Sequence, residues 1–200
     1  MKAYTTSKSI KSQAKDWLKT IAPYNEHALK LNAEKAALLV IDIQNAYLGY
    51  VPEPHRGIGM FMINAAIDLF RQRGYPIIRV YHTDPQQGPA SGSEPFEFPK
   101  TVHIQEGDLK VIKNFPSSFK KTDLDKILRD QGVDTVFLCG LSAVGCVLYT
   151  YFDAKGLDYR TFMIKDAIMS HRPDLTKAVE EITGAVDLDA VAYMLECARR

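Results

Sequence analysis

Three features of the sequence predict an α/β domain, a three-layer α-β-α arrangement with a mostly parallel, Rossmann-like sheet. Short apolar runs without polar alternation, Ala36 to Ile43, Pro76 to His82, Thr135 to Cys139 and Asp158 to Ile164, read as strands buried on both faces. Stretches of about ten to fifteen residues at helical spacing lie between them, which is the pattern of parallel strands joined by right-handed crossovers. Glycines at 74, 132 and 156 stand where those helical stretches should stop.

In chain order, residues 1 to 35 read as an N-terminal helical arm, with Ile10, Ala14, Trp17, Leu18 and Ile21 along one apolar face, and residues 36 to 200 as the main domain. Asp42 stands near the end of the first strand, AALLVIDI. A proline-containing loop from Gly49 to Gly57 leads to a helix in which Ile58, Phe61, Met62, Ala65, Ala66, Leu69 and Phe70 share a face. After the second strand, Thr83 to Lys100 carries Pro85, Pro89, Pro95 and Pro99 and reads as a long loop, expected at the mouth of a pocket as a cover that sets substrate choice. Val102 to Gln105 and Lys110 to Ile112 read as short β segments. Thr122 is placed to cap a helix from Asp123 to Asp130. The strand Thr135 to Cys139 runs through Gly140 into a small-residue turn, and a helix starts near Cys146. Pro173 opens another helix, and Asp187 to Cys197 is a last amphipathic segment.

Composition narrows the classes of function. With 200 residues, 46% of them hydrophobic, the chain can fill one core. A formal net charge of +1 provides no field for nucleic acid or an anionic membrane, and the longest apolar runs are strand-sized. The cysteines at 139, 146 and 197 show neither zinc spacing nor an even count, which fits a reducing, cytoplasmic setting.

Ligands of parallel α/β sheets bind beyond the carboxyl ends of the strands. Asp42, Lys113 and Cys146 all fall at or just past such ends, on three separate strands. Singly, each has an ordinary reading: a local cap, a lysine reaching solvent, a small core cysteine. Together they offer a nucleophile, a cation expected to lower the thiol's pKa, and a proton acceptor and donor, with the helix start also favouring the thiolate.

Three blocks carry a resemblance to a known family: ALLVIDIQNAY around Asp42, K-x-x-x-S-x-F-x-x-T-x-L from Lys113 to Leu124, and G-L-S-x-x-x-C-V from Gly140 to Val147. The chain resembles the isochorismatase-like cysteine hydrolases, among them nicotinamidases, N-carbamoylsarcosine amidases and ureidoacrylate amidohydrolases. The resemblance implies an Asp42, Lys113, Cys146 triad and a cis peptide between Leu141 and Ser142. It also implies an oxyanion hole from the backbone N–H groups of Ser142 and Cys146. A pocket at the strand ends is expected to be walled by Gln44, Tyr47, Phe115, Phe119 and Leu141. The implied reaction is cleavage of a small amide, ureido or carbamoyl compound without a cofactor, by a homodimer or homotetramer. The other readings are an isochorismatase-type or nicotinamidase-type hydrolase and a catalytically idle binder. The metal-binding Asp-x-His of nicotinamidases is missing. Glu53, His55 and His82 are the nearest substitute, and no metal is expected.

Overall fold

The computed structural model describes residues 33–84, 86 and 88–197. The helical arm expected over residues 1 to 35, with Trp17 on its apolar face, therefore lies almost wholly outside the described residues. Strand β1 (Ala36–Ile41) is buried at every position, as a run without alternation requires. It is followed by α1 (Asn45–Leu48), α2 (His55–Gln72), β2 (Ile77–His82), a 3-10 turn at Glu94–Phe96 and β3 (Leu109–Lys113). Then come α3 (Leu124–Asp130), β4 (Thr135–Leu141), α4 (Cys146–Gly156), β5 (Arg160–Met169), α5 (Pro173–Thr183) and α6 (Leu188–Cys197).

All five strands are parallel, in the order β3-β2-β1-β4-β5. Successive residues of β1 point to opposite faces, and the two cores divide accordingly. Leu38 and Val40 join Ile63, Ile67 and Phe70 of α2 and Val191, Met194 and Leu195 of α6. Leu39 and Ile41 join Leu128 of α3, Val147 and Tyr151 of α4 and Val179 of α5. The result is the three-layer sandwich that the sequence predicts. No helix among the described residues is long and apolar enough to cross a membrane.

The local differences from the sequence reading have identifiable causes. Val102 to Gln105 is not a strand: Asn64 of α2 donates to the Thr101 carbonyl at 2.8 Å and accepts the His103 N–H at 3.0 Å, so a side chain takes the groups that a neighbouring strand would need. Helix α2 begins at His55, three residues before the first apolar position, because Glu53 receives the Gly57 N–H at 3.1 Å and satisfies an early donor. The short α1 went unread; four residues are too few for periodicity to register. Helix α3 starts one residue later than expected, with Asp123 and not Thr122 at the N-cap; Thr122 accepts the Leu124 N–H at 3.3 Å from just outside the helix.

One glycine is dictated by strand approach. Gly140 of β4 pairs with Ile41 of β1 at a φ of 119°, and a Cβ there would lie 2.1 Å from the Ile41 carbonyl oxygen. Both the backbone angle and the contact exclude a side chain. Gly140→Ala should therefore destabilise the fold by about 3 kcal/mol or more, read as a lowered urea midpoint, whereas Gly156→Ala, which meets nothing within 4 Å, should change it little.

Candidate active site

The parallel order sets four strand ends in a row, and each delivers one chemically active side chain. Lys113 is the last residue of β3, His82 the last of β2, Asp42 follows β1, and Cys146 opens α4 just beyond β4. The register pairs His82 with Lys113 and Ile41 with Val80. Lys113 therefore reaches past the end of β2 to Asp42 on the strand beyond, and His82 stands between them.

Asp42 and Lys113 are 3% and 2% exposed, and Lys113 Nζ donates to Asp42 Oδ2 at 2.7 Å. A second Nζ hydrogen bond reaches His82 Nδ1 at 3.1 Å. The backbone at Asp42 is left-handed, with φ of 53°, a conformation costing a non-glycine residue about 1–2 kcal/mol, while its N–H stays in the sheet by donating to the Val80 carbonyl at 2.9 Å. The other carboxylate oxygen, Oδ1, is buried without a hydrogen-bond partner among the described residues. A ligand atom of Asp42, one of His82 and the Cys146 sulfur lie within 4.8 Å of one another.

Burial governs the titration of this cluster. It pushes the Cys146 thiol up to about 12, with the Asp42 charge adding to the rise and Lys113 only partly opposing it. Lys113 does pull the thiol down, as expected, but desolvation and the neighbouring carboxylate outweigh it, so the net shift is upward. Asp42 is raised above the usual carboxylate range by burial, against the pull of Lys113 and a smaller pull from the thiol. His82 is lowered by burial and then by Lys113, which leaves its imidazole neutral at pH 7.

Buried polar contacts hold these elements in place. Gln44, expected as a pocket wall, is fully buried and does not line the cavity. Its side chain donates to the His82 carbonyl at 2.9 Å and accepts the His82 N–H at 2.7 Å, pinning the end of β2 beside β1. The segment after Lys113 is tied to α4, the helix that Cys146 opens, through Thr150. Its hydroxyl accepts the Ser118 N–H at 3.0 Å and donates to the Cys146 carbonyl at 2.7 Å. The Leu141–Ser142 peptide is cis. The N–H groups of Ser142 and Cys146 find no acceptor among the described residues, while Gly145 and Val147 both donate to the Ser142 carbonyl.

A cavity of about 440 Å³ opens over this row. Asp42, His82, Ser142 and Cys146 form its floor, Tyr47, Tyr50, Val51 and Leu141 its apolar walls, and Ser170 and His171 the remaining side. Of the expected walls, Tyr47 and Leu141 are present. Phe115 and Phe119 are elsewhere: Phe115 lies beneath the ammonium groups of Lys120 and Lys121, and Phe119 stacks on Tyr159 with centroids 5.8 Å apart. The Thr83 to Lys100 loop contributes no lining residue among those described. Its Phe96 and Phe98 are spent on packing against Tyr81, and Glu94 is held by Asn45 of α1.

Glu53, His55 and His82 do not come together. Glu53 binds Arg56 at 2.9 Å, and His55 lines a separate surface pocket with Lys177 and Glu180. Among the described residues the group able to hold a metal ion is Asp42, His82 and Cys146. Lys113 already hydrogen-bonds one atom of Asp42 and one of His82. The sequence reading missed His82 as part of the floor, along with Tyr50, Val51, Ser170 and His171. For His82 a signal existed, since it ends an apolar strand just as Lys113 does.

An Isochorismatase domain family model matches residues 36–183. The Bacillus subtilis isochorismatase family protein YwoC is 31% identical over 158 residues, covering 71% of this chain and 82% of its own. An Arabidopsis thaliana protein described as a probable inactive nicotinamidase is 29% identical over 165 residues, covering 71% and 84%. The structure of N-carbamoylsarcosine amidase from Thermoplasma acidophilum superposes with a TM-score of 0.65 at 30% identity, covering 76% of this chain and 95% of that one. With its five-stranded parallel sheet and the family match over most of its length, the chain belongs to the isochorismatase family of hydrolases.

Proposed function

We propose that this hydrolase cleaves a small amide, ureido or carbamoyl compound at a C–N bond, with Cys146 as nucleophile, Asp42 as proton carrier and Lys113 as the charge that holds Asp42 in place. The observation that carries the reading is the buried Asp42–Lys113 pair, with an unpartnered carboxylate oxygen, on the same cavity floor as the Cys146 thiol. The likeness to N-carbamoylsarcosine amidase supports the amide class.

The raised thiol and raised carboxyl fit one sequence of steps. A buried thiolate would cost too much in the resting site, so Cys146 keeps its proton until the substrate carbonyl is in reach. As the sulfur attacks, the proton passes to Asp42 and negative charge moves onto the carbonyl oxygen, where the free N–H groups of Ser142 and Cys146 can receive it. Lys113 then neutralises developing charge instead of a carboxylate. A carboxyl held above its normal range is the better acceptor for the thiol's proton, and it can still pass that proton to the more basic leaving nitrogen, so ammonia or an amine departs and a thioester or thiocarbamate stays on Cys146. Water enters, gives its proton to Asp42 and attacks the acyl carbon. The acid product leaves, and the proton returns to sulfur.

The walls narrow the substrate. Tyr47, Tyr50, Val51 and Leu141 favour a compact, mainly apolar group on the non-reacting side of the carbonyl. A screen of small primary amides, ureido acids and carbamoyl compounds, read as ammonia release, should find turnover, and Cys146→Ser should lower kcat by about a thousandfold or more. A chain that turns over none of them and forms no acyl adduct by mass spectrometry is the idle binder instead. Thiolate ultraviolet absorbance should show Cys146 protonated through pH 9. Asp42→Asn should move its titration down by removing a neighbouring negative charge, and Lys113→Met should move it further up.

A further inference from the structure

Helix α4, which carries Cys146 as its first residue, has no side-chain cap, since Gly145 stands at the N-cap and has none to offer. Its first turn is held from one turn further on. Thr150 donates its single hydroxyl proton to the Cys146 carbonyl at 2.7 Å, so its oxygen can only accept elsewhere. Ser118 fills both remaining positions, with its N–H at 3.0 Å and its hydroxyl at 2.9 Å. Ser118 is therefore the donor in the hydroxyl pair. Bonding back to the carbonyl four residues earlier is ordinary for a helical threonine; saturation of that threonine by a second segment is not. Both residues are fully buried, and neither lines the cavity. Thr122 braces Ser118 in turn, donating its hydroxyl to the Ser118 carbonyl at 2.6 Å.

The segment that bears on Thr150 begins at Lys113. Lys113 ends the edge strand β3 and Cys146 follows β4, with β2 and β1 between, so no ladder hydrogen bond joins the two. We propose that Thr150 and Ser118 are positioning residues for the hydrolysis: their chain of hydrogen bonds holds the first turn of α4, with the Cys146 sulfur and N–H, at a fixed setting against the Lys113–Asp42 pair. This rests on the amide-hydrolase reading and adds to it two residues behind the cavity lining. Because both hydroxyls are dry, water does not replace a lost partner, and α4 has no cap to hold its start instead. A nucleophile displaced by about 1 Å can lose about a hundredfold in rate.

Two readouts on the full chain separate positioning from packing. One is kcat and KM on the most active compound of the ammonia-release screen; the other is iodoacetamide labelling of the Cys146 peptide at one mildly alkaline pH, followed by mass spectrometry. Thr150→Val, which removes the oxygen and keeps the branched shape, should lower kcat about tenfold or more with KM within about twofold. It should also speed labelling by about threefold or more, because a thiol moved away from Asp42 and toward water titrates lower. Thr150→Ser, which keeps the oxygen, should stay close to the unmodified chain in both. Tyr159→Phe, which removes a hydroxyl bond to Asp125 outside the cavity lining, controls for lost stability and should move neither. If Thr150→Val shows no folded baseline in urea, Ser118→Ala takes its place, with the same directions and smaller size. A loss of stability with kcat and labelling unchanged, or a Thr150→Ser as impaired as Thr150→Val, overturns the proposal. An unmodified chain without turnover sinks the hydrolase reading, and labelling then decides whether Thr150 sets Cys146: a rate unchanged by Thr150→Val overturns that too.

Discussion

The site depends on one buried ion pair, Lys113 to Asp42, formed between strands that are not neighbours. Adjacent strands lie about 4.8 Å apart, so the pair has to cross the end of the strand between them, and only a long, straight cation can do so. Breaking such a pair by removing one partner costs about 3–5 kcal/mol, since the survivor is left charged and dry. The geometry has consequences on both sides. It brings the ammonium against His82 on the way, and it leaves the second carboxylate oxygen of Asp42 unclaimed beside Cys146.

The same pair accounts for a titration that runs against simple expectation. A lysine near a cysteine ordinarily suggests a stored thiolate. Here the lysine's charge is already balanced by Asp42, so the thiol meets a nearly neutral pair within a dry pocket, and desolvation decides. A protonated thiol beside a base is the cheaper resting state. In the proposed reaction the anion needs to exist only while the substrate's carbonyl is taking up its charge.

Much of this was legible in the sequence, and what was not has physical causes. Unalternating strands buried on both faces, glycine stops and polar residues at strand ends lead to the three-layer sheet and to Asp42, Lys113 and Cys146, because each of these signals is local or follows from parallel topology. Gln44 and His82 are different. A glutamine one turn past a strand and a histidine ending another carry no mark of their mutual hydrogen bonds, which exist only once β1 and β2 are aligned. Phe115 and Phe119 sit close to Lys113 in sequence, yet their rings settle on lysines and on Tyr159 because the chain turns away after β3. Proximity along the chain is a poor guide to which wall a loop residue joins.

The division of labour within the cavity follows from the same distinction. Its floor is built from strand ends whose separation is set by backbone hydrogen bonds and by contacts as close as Gly140 on Ile41, so its chemistry has little room to vary without losing the sheet. Its walls come from Tyr47, Tyr50 and Val51 after β1 and from Ser170 and His171 after β5, where the chain has left the ladder and side chains can change with less penalty to the fold. His82 belongs to the floor by position, and its Nδ1 is held by Lys113, so the ion pair reaches the cavity surface through this ring as well as through Asp42. A change in Lys113 would therefore disturb two strand ends of the floor at once, while a change in a wall residue would disturb none.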